Sequence, residues 1–234
     1  MLTKFLFLLV LVQAAIGCAP LKQRDDSTSE YPSIDFGPED AADPATTGIF
    51  INHAALNVNN LTRSTEFYSE VFGMRLMFTY RLTRYMTVAY MAHSGGGKNG
   101  SAYQTTEELI RYKNNAGGKL ELVYLNTTGK DVPGPTTMTN TFSHIGIIVP
   151  DLAAIQDRLE KYGVTIYKRT GEPMPTDGYM GNPFSFGDAT ELTPEDWTDI
   201  QEEMGKINYL NIFASDPDGN VLEIQPLNEP SMTG

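Results

Sequence analysis

The chain has 234 residues, a formal net charge of −12 and a single cysteine, Cys18. The charge argues against nucleic acid and anionic membranes as partners, so an anionic substrate would need a local basic pocket. With Cys18 near the start, the folded part has no disulfide and no thiol nucleophile.

Residues 1–17 run from Lys4 through FLFLLVLVQAAI to the small residues Ala15 and Gly17. This is the order of a secretory signal peptide, and the apolar run is shorter than the roughly 20 residues that span a bilayer. A secreted protein is expected, with no membrane attachment once the signal is removed. Sequons at Asn60, Asn99 and Asn126 agree with export. Residues 18–48 are acidic and proline-containing with no apolar period, and read as a disordered linker or pro-segment.

The rest of the chain repeats itself. Aligning His53 on His144 pairs Leu56 with Ile147, Val58 with Val149 and Leu61 with Leu152, and the copies close on KLELV around Glu121 and VLEIQ around Glu223. The first module is placed at residues 49–130 and the second at 141–228. Each opens with an alternating strand and passes into an amphipathic helix. Asn60 caps the first helix, whose stripe is Leu61, Tyr68, Val71 and Phe72, and Gly73 stops it. Asp151, the stripe Leu152, Ile155, Leu159 and Tyr162, and Gly163 do the same in the second. RLMFTYRL, RYMTVAYM and KLELVYL follow as strands in one copy; VTIYK, KINYLNIFA and NVLEIQP follow in the other. DPDG, Asp216 to Gly219, is a tight-turn signal. The fold class is therefore α+β, built as tandem βαβββ modules.

Two insertions interrupt the repeat. Residues 93–118 hold a glycine-rich stretch and a short helical run, TTEELIRY; the glycines lack the spacing of a phosphate loop. Residues 171–205 are longer, carry Tyr179, Phe184, Phe186 and Trp197, and hold a short helix opened by Thr193 and Pro194. Such an insertion serves as a lid or interface, or is a surface excursion covering its own aromatics.

Alternation also sets out the chemistry. In FSHIGIIV, Ser143, Ile145, Ile147 and Val149 face the helix, while Phe142, His144, Gly146 and Ile148 face the other way. Glu121 lies between Leu120 and Leu122, and Glu223 between Leu222 and Ile224, so each carboxylate points away from the core. His53 stands in a strand whose other face carries Ala54, Leu56 and Val58. A glutamate within an apolar sheet is costly unless paired or bound to metal. One strand histidine or glutamate alone has ordinary explanations, but four at equivalent repeat positions suit a divalent metal with open positions. His93 has no repeat partner and no assigned role.

STEFYSEVFGM, SHIGIIVPDL and ASDPDGNVLEI resemble the vicinal oxygen chelate superfamily (the glyoxalase/bleomycin resistance/dioxygenase fold), most closely glyoxalase I, or lactoylglutathione lyase. The resemblance runs from about Phe50 to Pro226. It implies one divalent ion, zinc or nickel, held by His53, Glu121, His144 and Glu223. It also implies isomerisation of the glutathione–methylglyoxal hemithioacetal to S-lactoylglutathione through a metal-stabilised enediolate, with Glu223 as the leading base and Glu121 as its counterpart. Extradiol dioxygenases and epimerase-like members generally lack a carboxylate at the position of Glu121. Substrate-binding positions carry over to Asn57, Asn140, Lys168, Arg169 and Lys206, with asparagine where many glyoxalases have arginine at the first two. A homodimer is expected, each site taking one module from each partner, although a single chain could also close on itself. The alternatives are the same metal chemistry on another carbonyl substrate, or a secreted small-ligand-binding protein of the bleomycin-resistance type.

Overall fold

The computed structural model describes residues 32–34, 36–96, 103–127, 129–186 and 192–228. The expected signal peptide, Cys18 and the Asn99 sequon lie outside the described residues. Both repeats fall within one unit, Ala41–Gly234. Module one comprises β1 (His53–Asn57), α1 (Leu61–Glu70), β2 (Arg75–Arg81), β3 (Met86–Ala92), α2 (Thr106–Arg111) and β4 (Lys119–Leu125). Module two comprises β5 (His144–Val149), α3 (Leu152–Lys161), β6 (Ile166–Lys168), α4 (Gly178–Gly181), α5 (Pro194–Ile207), β7 (Ile212–Ser215) and β8 (Val221–Pro226). Each module is thus a four-stranded mixed sheet with a helix on it, and the fold is α+β.

The sheets run β1-β4-β3-β2 and β5-β8-β7-β6. In each, the first strand pairs in parallel with the last, so β1 lies beside β4 and β5 beside β8. That pairing brings a histidine strand next to a glutamate strand in both modules. The helices start where expected. The side chain of Asn60 accepts from the Arg63 N–H and that of Asp151 from the Ala154 N–H, satisfying donors that a first turn leaves bare. Gly73 and Gly163 end the helices at φ 71° and 65°, which a side chain would resist.

The helix-facing residues of both modules pack together. Leu56, Tyr68, Leu120 and Leu122 of module one contact Phe142 and Ile145, while Val71, Phe67 and Phe72 beside α1 pack against Val149, Leu159, Leu222 and Ile224 of module two. The helical sides are therefore shared inward, and the opposite faces of the two sheets are turned away from that core. Phe142, expected on the outward face, lies instead against the module-one core, because the chain is not yet in strand geometry before His144.

The modules are also tied by a polar latch at the DPDG turn. The Asp216 carboxylate accepts from Tyr68 Oη and from the Asp218 N–H, Asn220 N–H and Asn220 Nδ2, all at 2.8–2.9 Å. Asp218 accepts from Asn59 N–H, Arg63 Nη2 and Ser64 Oγ of module one. Burial raises the Asp216 carboxyl above its ordinary range, against the pull of these hydrogen bonds, Asn220's foremost.

Three expectations are corrected. Tyr162 is 40% exposed rather than part of the buried stripe; its hydroxyl meets Glu70 and the Arg158 guanidinium lies over its ring. The run KINYLNIFA does not form one strand: α5 continues through Ile207, held by a Thr193–Asp196 capping box, and β7 begins only at Ile212. VTIYK yields a three-residue strand. Among the described residues no helix is long and apolar enough to cross a membrane.

Candidate metal centre

Parity puts Glu121 and Glu223 on the outward faces, and parallel pairing sets each beside a histidine. His53 Nε2 lies 3.1 Å from Glu121 Oε2, and His144 Nε2 lies 3.1 Å from Glu223 Oε2. The pairs are partly exposed, at 34% and 20% of the side chain in module one and 29% and 14% in module two. The four do not meet at one point within one chain: among the described residues no group of three or more His, Cys, Asp or Glu is placed to hold a metal ion. The shared helical core accounts for this, since it turns the two outward faces apart.

Each imidazole is held through its other nitrogen. His53 Nδ1 lies 3.1 Å from Asn52 Oδ1, and His144 Nδ1 lies 2.8 Å from Ser143 Oγ. The Asn52 orientation is fixed by its amide nitrogen, which donates to the carbonyls of Lys113 and Ala116. His53 Nδ1 therefore carries a proton and donates to Asn52. Tyr90 Oη donates to Glu121 Oε2 at 2.7 Å and sits 3.3 Å from His53 Nε2. With the phenol proton committed to the carboxylate, His53 Nε2 and Glu121 Oε2 are two acceptors facing one another, and need a proton or a cation between them. Two ligands about 2.1 Å from one ion and at right angles stand about 3.0 Å apart, so both pairs fit adjacent positions around a divalent ion.

The surroundings differ between modules. Burial, and then the hydrogen bond to Glu121, push the Tyr90 phenol up to about 12, so it stays a donor. In module two the residue opposite Glu223 is Phe213, and the donor is Asn211, whose Nδ2 gives a 3.1 Å bond to Glu223 Oε1. Asn211 is buried, and its Oδ1 has no partner among the described residues. Burial alone would raise Glu223, but His144, Gln225 and Asn211 together bring it below the usual carboxylate range.

Tyr90 and Asn211 escaped the sequence reading. Tyr90 was within reach of it, since β3 pairs with β4 and sets Tyr90 opposite Glu121. Asn211 lies between α5 and β7, where no periodicity points to a site. The described residues of the 171–205 insertion cover part of the outward face of module two. Met174, Met180, Phe184 and Met204 pack on Phe213 and Val221, beside the His144–Glu223 pair.

The expected substrate positions separate into two groups. Asn57 and Asn140 line one cavity of about 220 Å³ with Phe142 and Asp218. None of the three basic residues lines it. The resemblance implied substrate binding for Lys168, but the structure buries this side chain, and its Nζ donates to the carbonyls of Arg169, Tyr209 and Asn211 at 2.7–3.1 Å. Burial lowers it to about 8, against the attraction of Glu172. All three of its donors are committed within the chain, so Lys168 is a structural cation. Arg169 bonds to Glu160, and Lys206 to Glu203 on its own helix. A larger cavity, about 960 Å³, lies between the modules and is lined by Phe72, His93, Lys119, Ile147 and Arg158 among others; none of the four candidate ligands borders it. Burial lowers His93 there.

The chain is 26% identical over 195 residues to a lactoylglutathione lyase of Pseudomonas putida, covering 79% of this chain and 90% of that one. It is 28% identical over 162 residues to a lactoylglutathione lyase of Pseudomonas aeruginosa, covering 67% and 88%. A solved structure of the trypanothione-dependent glyoxalase I of Leishmania major aligns at a TM-score of 0.46 and 18% identity, over 76% of this chain and 86% of that one. The family model described as Glyoxalase/Bleomycin resistance protein/Dioxygenase superfamily matches residues 50–224, a span that holds both histidine–glutamate pairs, and the chain belongs to that superfamily.

Proposed function

We infer that the protein is a metal-dependent isomerase of thiol hemithioacetals of 2-oxoaldehydes, a glyoxalase I-type lyase, with glutathione the first thiol to test. The repeated pair carries this reading: histidine Nε2 and glutamate Oε2 stand 3.1 Å apart at equivalent places in both modules. The relatives named lactoylglutathione lyase support the class of activity.

One pair supplies too few ligands for a catalytic ion, which takes three or more from protein. On this reading, two copies complete each site: His53 and Glu121 from one, His144 and Glu223 from the other. Supporting it, β1 and β5 are edge strands, and Leu56 is the one buried residue of β1. Open edges of this kind invite pairing with another chain. These four side chains would hold a divalent ion, which would supply Lewis-acid chemistry to the bound substrate.

The side chains divide the remaining work. Glu223 is ionised at neutral pH and takes the proton from the carbon bearing hydroxyl and sulfur, then returns it to the neighbouring carbon. Its Oε2 is the oxygen facing His144, while Asn211 bonds the other oxygen and fixes the carboxylate plane. Glu121 takes the lesser part in this reading, because the Tyr90 hydroxyl already donates to the oxygen that faces His53. Asn52 and Ser143 hold the two rings so that each Nε2 faces its paired glutamate. The thiol is less constrained: Lys168, Arg169 and Lys206 all have partners within the chain, which favours weak anchoring of glutathione carboxylates. The amides of Asn57 and Asn140 can each donate to a carboxylate but lack the positive charge and paired fork of arginine.

The test is metal analysis of the purified chain, then thioester formation from the glutathione–methylglyoxal adduct after loading with nickel or zinc. Activity with a high Michaelis constant, abolished by a chelator, is the expected result. Metal-loaded protein that forms no thioester even at high adduct concentration defeats the reading.

A further inference from the structure

Insertion 171–205 sets a row of aromatic rings against one side of the His144–Glu223 pair. The Phe184 ring centroid lies 5.7 Å from that of His144. Phe186 stacks on Phe184 at 5.7 Å with the planes 20° apart, and Trp197 meets Phe186 edge-on at 5.3 Å. Phe213, wholly buried, supports Phe184 from below at 6.0 Å. The three rings of the row are themselves only half-buried, so each keeps part of its surface free.

The backbone is bent to make this row. Ser185 holds φ 60°, the one non-glycine residue with positive φ among the described residues. Left-handed geometry costs such a residue energy and persists where the surroundings impose it. In an extended segment Phe184 and Phe186 would share one side about 6.7 Å apart; with Ser185 left-handed, their ring centroids stand 5.7 Å apart with the planes near parallel. On module one, by contrast, the ring nearest His53 is Tyr90, whose hydroxyl is directed at Glu121.

In a 2-oxoaldehyde adduct the substituent sits on the carbon next to the one that loses its proton. With the reacting carbons beside His144 and Glu223, that substituent reaches the Phe184 ring. Ring pairs attract beyond what their buried area accounts for, which a methyl group cannot match. Resting on the reading of His144 and Glu223 as half of an isomerase site, we propose that Phe184, Phe186 and Trp197 select hemithioacetals of aromatic 2-oxoaldehydes over aliphatic ones.

The test compares glutathione adducts of phenylglyoxal and methylglyoxal on the metal-loaded full chain, for the native protein, Phe184→Leu and Phe186→Ala. Phe184→Leu keeps apolar packing on Phe213 while removing the ring. The phenyl-to-methyl ratio of kcat/KM is expected to fall about tenfold, chiefly through the KM of the phenylglyoxal adduct. Phe186→Ala should shift the ratio in the same direction and stands in if Phe184→Leu does not fold. Trp197 is the one tryptophan of the chain, so its emission reports binding without turnover. It should respond to the mandeloyl thioester product more than to the lactoyl one. An unchanged ratio in both variants, with both adducts still turned over, overturns aromatic selection and leaves the isomerase reading standing. Failure to turn over either adduct removes both.

Discussion

Glu223→Gln is expected to lower kcat of the metal-loaded protein about 10³-fold, the range that removal of a general base produces. The substitution keeps the shape of the side chain, and the Asn211 amide can still donate to an amide oxygen at the Oε1 position. What is lost is the anionic oxygen facing His144 at 3.1 Å. Metal affinity should weaken too, so kcat is measured at saturating metal, with thermal unfolding as a check on the fold. Glu121→Gln should cost less in kcat, because the oxygen it alters is already engaged by Tyr90. Equal losses in the two variants, or a loss at Glu223 below tenfold, would remove Glu223 from the role of base.

The largest effect on stability is expected at the latch between the modules. Asp216→Ala removes the acceptor of four hydrogen bonds, leaving Tyr68 Oη and two backbone N–H groups buried without it. A buried group left unsatisfied costs about 1–3 kcal/mol, and partial repair by water or rotation limits the sum, so a loss of about 4 kcal/mol is expected. Tyr68 lies on α1 and Asp216 precedes β8, so the loss should also loosen one module from the other. Denaturant unfolding of the variant measures the first effect, and amide exchange along α1 the second. A variant within 1 kcal/mol of the native protein would show that α1 is held by apolar packing alone.

Much of this fold was legible because the repeat and the strand alternation report the same face twice. Leu120 and Leu122 point one way and Glu121 the other whatever the sheet packs against, so the outward glutamates followed from local geometry. The caps at Asn60, Asp151 and Thr193 followed from single side chains that satisfy backbone donors a few residues away. What could not be read were contacts between residues far apart in the chain. DPDG was legible as a turn, but not as a latch reaching Asn59, Arg63, Ser64 and Tyr68 about 150 residues earlier. Lys168 shows the same limit. As a lysine at a basic family position it implied an anion site, and only the return of the chain at Tyr209 and Asn211 supplies the carbonyls that occupy it. Tyr162 fits the helical stripe by spacing, yet lies where α3 ends and no strand covers it. The convergence of four ligands was the most consequential expectation. The repeat gives equivalent positions within each module but carries no information on which module faces which, and the shared helical core turns the two faces outward.

The central claim is that each site is built from His53 and Glu121 of one copy and His144 and Glu223 of another. It is tested most directly by co-expressing His53→Ala and Glu223→Gln chains and assaying the mixture for thioester formation. Each variant alone has a defect in every site and is expected to be inactive. In a mixed dimer with shared sites, one site collects both defects and the other collects none. Equal, random association makes half the dimers mixed, each with one intact site of two, so the mixture should recover about one quarter of native activity. A mixture as inactive as its two components would contradict the shared site.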